Sequence, residues 1–147
     1  MTTIGFKYHS GPVRVIEALE ASSQSFGQSD LVYLSGGKVL VAATDNVIMG
    51  TALKAATNTT SGWASIPIQV ITPETLFVAQ VDTTSVLSQV GEDYGVNILT
   101  TQCHSVNIAE TTSTTVRVER LDSRDGAKAL GRVIVRFNPK VLQSTRL

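Results

Sequence analysis

The chain has little of what catalysis, secretion and nucleic-acid binding draw on. A single cysteine, Cys103, in 147 residues excludes an intramolecular disulfide framework. The two histidines, His9 and His104, lie far apart with no local ligand spacing, so neither a metal site nor a cofactor is expected. Charged residues make up 16% of the chain, against roughly 25% in an average soluble domain. Twelve basic and twelve acidic side chains balance to a formal net charge of zero, and no Lys/Arg run supplies a phosphate-binding footprint; direct nucleic-acid binding is not expected. No apolar run approaches the roughly 20 residues that span a bilayer, so no membrane partner is expected either. The opening MTTIGFKYHS lacks the charged and apolar regions of a signal peptide, which points to synthesis in a cytoplasm.

What is abundant is the β-branched side chain. Val, Ile and Thr number 18, 9 and 18, and branched Cβ atoms favour pleated strands over helices. Turn residues cut the apolar runs into strand-sized pieces. LVYL (31–34) stops at Ser35-Gly36-Gly37, KVLVAA (38–43) at Asp45-Asn46, and VIMGTAL (47–53) at a Thr/Asn/Ser/Gly loop; IPIQVI (66–71) and ETLFVAQV (74–81) are separated by Thr72-Pro73. A second block holds strands around 95–98, 105–108, 115–121 and 132–137, with Leu121-Asp122-Ser123-Arg124-Asp125-Gly126 as turn chemistry. The fold class expected is mainly β: a small antiparallel β-barrel or sandwich with one short helix and an extended N-terminal arm. The helix is placed at 86–90, capped by Ser85 and stopped by Gly91. Residues 1–12, ending at a Gly11-Pro12 break, read as the arm, 13–137 as a single β domain whose first strand ends near Ala18, and 138–147 as a C-terminal tail.

Candidate chemistry is thin. Cys103 and His104 are neighbours, but adjacent strand residues point to opposite faces, so a partly buried Cys beside a surface His is the better account. Gly36-Gly37-Lys38 lacks the Ser or Thr of a phosphate loop and reads as a two-glycine hairpin. Asn58-Thr59-Thr60 matches a glycosylation acceptor only as a coincidence of a Thr-rich loop, and Glu92-Asp93 lacks a third group to split the two carboxyls. No catalytic residue is assigned and enzyme activity is not expected. Surface contacts are more promising. In the two long strands Val116, Val118, Val133, Val135 and Phe137 share one face, while Arg117, Glu119, Arg132 and Arg136 share the other. The partner-contact candidates are Phe6 and Tyr8 in the arm, Trp63 in a polar loop, and Arg117, Arg132 and Arg136. An alternative reading, a carbohydrate- or receptor-binding β module of a phage or bacterial surface, rests on Trp63 and Tyr94 stacking on sugar rings.

Taken in order, these pieces resemble the capsid cement or head decoration proteins of tailed bacteriophages. The resemblance rests on Asp30-Leu31-Val32-Tyr33-Leu34, Gly36-Gly37-Lys38-Val39 with Ala42-Ala43, and Met49-Gly50-Thr51-Ala52-Leu53. It continues through the run 66–73 into Glu74-Thr75-Leu76-Phe77, then Val90-Gly91-Glu92-Asp93-Tyr94-Gly95, the turn at 121–125 and the strand 131–137. It covers roughly Asp30 to Phe137 through loose strand-and-turn patterns. It implies a non-enzymatic virion protein made in the host cytoplasm. Such a protein binds the capsid exterior, often as a homotrimer, and bridges subunits of the major capsid protein. In that setting an extended arm would add a strand to a neighbour's sheet edge.

Overall fold

A computed structural model of the protein describes residues 5–42, 48–57, 64–97 and 104–143. In chain order its strands are β1 (Lys7–Ser10), β2 (Val15–Glu20), β3 (Leu31–Ser35), β4 (Lys38–Val41), β5 (Gly50–Ala52), β6 (Ser65–Val70), β7 (Leu76–Gln80), β8 (Thr84–Ser85), β9 (Asp93–Asn97), β10 (Ser105–Asn107), β11 (Val116–Leu121), β12 (Lys128–Ala129) and β13 (Arg132–Phe137). The mainly β class is borne out. A closed barrel runs β2-β4-β3-β5-β6, a six-stranded antiparallel sheet runs β1-β7-β13-β11-β9-β10, and β8 with β12 forms a short ribbon.

Local sequence explains the barrel's tightest turn. Gly36 and Gly37 both have positive φ, +59° and +79°, as a two-residue hairpin of the primed type requires, and they set Ser35 opposite Lys38. That hairpin also makes the barrel depart from an all-antiparallel one. The loop after β2 delivers the chain into β3, and the return strand β4 then lies parallel to β2, with Leu19 opposite Lys38.

The six-stranded sheet curls toward closure. Val106 on β10 bridges to Val81 just beyond β7, and the Asp82 N–H donates to the Val106 carbonyl at 3.0 Å. The Asp82 carboxylate fastens this seam, accepting from the Ile108 N–H at 3.1 Å and from the Asn97 amide at 3.0 Å.

Two cores fill the two β bodies, and β3 is a wall between them. Because successive strand residues face opposite ways, Leu31 enters the larger core with Phe6, Phe77, Val135 and Phe137, while Val32 enters the barrel core with Phe26, Val39, Ile66 and Ile68. In the larger core Phe137 packs edge-on to Phe77, with centroids 5.7 Å apart, and tilted against Phe6 at 5.4 Å.

Four expectations change. The first barrel strand continues past Ala18 to Glu20, because Leu19 still pairs with Ser65. The expected helix is a single 3-10 turn, Leu87–Gln89, whose entry is tied by the Gln89 side chain accepting from the Val86 N–H at 3.1 Å. Ser85 does not cap it: its hydroxyl donates to the Gly126 carbonyl at 2.6 Å instead. Within the expected arm, Lys7–Ser10 forms the edge strand β1 on the protein's own β7. In the expected tail, Leu142 is buried and bridges Ile48, and the Gln143 amide donates to the Leu34 carbonyl and accepts its N–H, pairing with β3 as a residue of a neighbouring strand would.

Candidate functional site

The outer face of the six-stranded sheet gathers the arginines. Register places Leu76, Arg136, Arg117 and Asp93 in one row across β7, β13, β11 and β9. The next row runs Lys7, Val78, Ile134 and Arg120 across β1, β7, β13 and β11. Strict alternation from Val116 would send Arg120 into the core. A β-bulge between Val118 and Arg120 prevents this: the extra residue, Glu119, shifts the register so that Arg120 stands on the outer face opposite Ile134, while Leu121 turns inward against the core.

Each of the three arginines expected as contacts holds a carboxylate. Arg117 grips Asp93 through two bonds of 2.9 and 3.2 Å, Arg136 meets Glu119 at 2.5 Å, and Arg132 binds Asp125 through two bonds of 2.8 Å. The two-bond pairings of Arg117 and Arg132 fix their guanidinium planes. The turn after β11 adds a further pair, with Arg124 on Asp122 at 2.6 Å. These bonds pull the acids down. The Arg124 guanidinium holds Asp122 at about 2 against the opposing effect of burial, and Arg132 depresses Asp125 in the same way. Asp93 is lowered chiefly by its bond to Arg117.

Arg120 differs from these four. Among the described residues no carboxylate lies within ion-pair distance of it, and its Nη2 stands 3.4 Å from the His9 Nε2. His9 Nδ1 in turn meets the Ser10 hydroxyl at 3.0 Å. Together with Asp122, Ser123 and Arg124, and with Ile134 also lining it, Arg120 and His9 form a cleft of about 370 Å³. A second cleft, about 480 Å³, opens beside the Asp93–Arg117 pair and is lined by Glu92, Thr111 and Thr114.

The remaining expected contacts separate. Phe6 is a correction: it is 1% exposed and packed against Phe137, because β1 docks on β7 and turns Phe6 inward. Tyr8 stays 41% exposed, its hydroxyl donating to the Gly11 carbonyl at 2.7 Å. Trp63 and Cys103 lie outside the described residues. Tyr94, proposed for sugar stacking, is buried in the larger core, and that burial raises its phenol pKa. His104 is not a surface residue either. It is fully buried, its Nδ1 accepting from the Leu31 N–H at 2.9 Å. Strand alternation reached Arg117, Arg132 and Arg136 but missed Arg120 and His9, since a bulge leaves no mark in the apolar pattern.

No family model matches the chain, and no curated protein matches it.

Proposed function

We propose that the protein is a structural virion component that binds the outer surface of a phage capsid and stabilises it by bridging subunits of the major capsid protein. The observation that carries this reading is the outer sheet face, where Arg117 and Arg132 are each held by two bonds to a carboxylate and Arg136 by one, across a broad four-strand surface. Such a face suits contact with another folded surface, because its side chains surrender little rotamer freedom on docking. The loose resemblance between Asp30 and Phe137 supports the same role. In this reading the partners are the major capsid protein and further copies of the chain, as a homotrimer on the capsid exterior.

The physical effect is linkage. A protein that binds the assembled, expanded shell and not its separated subunits stabilises the shell in proportion to occupancy, so many copies of modest affinity suffice. Mixing the purified protein with expanded and unexpanded shells of the virus that encodes it, followed by sedimentation, tests the reading. Attachment to expanded shells, with a raised disassembly temperature, is the expected result. Failure to attach to either form counts against it. Mass measurement in solution and on the shell tests the trimer.

A further inference from the structure

We infer that the cleft formed by Arg120, His9, Ser123 and the Arg124–Asp122 pair is a carboxylate-binding site, with Arg120 as its anchor, that receives an acidic segment of the protein partner. The inference deepens the proposed function and rests on it for the partner's identity, though not for the chemistry of the site. Four arginines around the cleft and along its face are already neutralised by Asp93, Asp122, Asp125 and Glu119. Arg120 alone among these guanidiniums lacks a carboxylate among the described residues. Its Nη2 lies 3.4 Å from the His9 Nε2, a contact in which the guanidinium can only donate, and the rest of its five N–H donors remain for an incoming acceptor. A carboxylate fits this arrangement, since the planar guanidinium fork matches two oxygens.

The row Lys7, Val78, Ile134, Arg120 places a second cation on the same face. Lys7 also has no carboxylate within ion-pair distance among the described residues, and it lies on β1, the strand whose His9 the Arg120 guanidinium reaches. Two acidic side chains of one extended segment can therefore meet both cations. Nucleic acid is a poorer match. A phosphate backbone needs a run of unpaired cations, which this face does not supply among the described residues.

The capped peptide Glu-Ser-Ser-Ser-Glu tests the site, with Gln-Ser-Ser-Ser-Gln and inorganic phosphate in parallel, read by NMR of the arginine Nε–H and histidine ring signals. The expected result is a saturable shift at Arg120 and His9 with the acidic peptide and none with the amide peptide. Arg120→Gln should weaken peptide binding about tenfold or more, Arg120→Lys should restore part of it, and Arg14→Gln, on the barrel side, should leave it unchanged. Equal binding by wild type and Arg120→Gln, an equal response to the amide peptide, or tighter binding of phosphate than of the acidic peptide would each overturn the assignment. In shell sedimentation, attachment lost in Arg120→Gln supports the site. If the wild type attaches to no shell while the acidic peptide binds, the capsid reading fails and the carboxylate site stands.

Discussion

Replacing Phe6 by Ala tests whether the N-terminal segment is part of the folded body. Phe6 is 1% exposed, and its ring contacts Phe137, which in turn meets Phe77. Truncating a buried Phe removes its transfer free energy and leaves a cavity, at a cost of about 3–5 kcal/mol. The stability of a typical domain is only about 5–15 kcal/mol, so this one change removes a large fraction of it. At about 2–4 °C per kcal/mol for a chain of this size, the thermal midpoint should fall by roughly 6–20 °C. Urea unfolding followed by circular dichroism should show a lower midpoint with an unchanged slope. Deleting residues 1–10 removes β1 as well and should cost at least as much. A free arm would behave differently: both variants would unfold at the wild-type midpoint, and that result would refute the docking of β1 on β7.

Further outcomes follow from single contacts. Asp82→Ala removes the acceptor of two seam bonds, from Ile108 and Asn97, and should cost about 1–3 kcal/mol with faster hydrogen exchange at 105–107. Asp122 is held at about 2 by Arg124, below the unfolded value of roughly 3.9, so its contribution to stability is full above pH about 4 and is lost as pH falls toward 2. Asp122→Asn should therefore flatten that part of the acid limb in urea midpoints measured against pH. Gly50→Ala places a Cβ against the Gln69 carbonyl and Ile68 Cγ2, and a loss of about 1–3 kcal/mol is expected in the same unfolding assay.

How far the fold could be read from the residues depended on whether a feature was local. The Gly36-Gly37 hairpin needs two positive φ angles in a row, and glycine announces them. The alternation in 116–118 and 132–137 reports which side is dry, and it placed Arg117, Arg132 and Arg136 on the outer face. Non-local pairing left no such trace. The Gly11-Pro12 break is the same whether the preceding segment is free or docked; only the fit of Phe6 beside Phe137 decides, and that pairing spans almost the whole chain. The parallel contact of β2 with β4 likewise depends on where the hairpin lands. At the candidate site, the bulge at Glu119 reverses the face of Arg120, and His9 comes within reach only because β1 is the strand at the sheet's edge.

The central claim is that the outer sheet face attaches this protein to a larger assembly. Sedimentation of the wild type and the Arg120→Gln variant with expanded phage shells, the partner proposed above, tests that claim most directly. The account predicts that the wild type pellets with the shells, that added density appears on their exterior, and that the variant stays in the supernatant. Pelleting that is indifferent to Arg120, or no pelleting of the wild type at all, would contradict it.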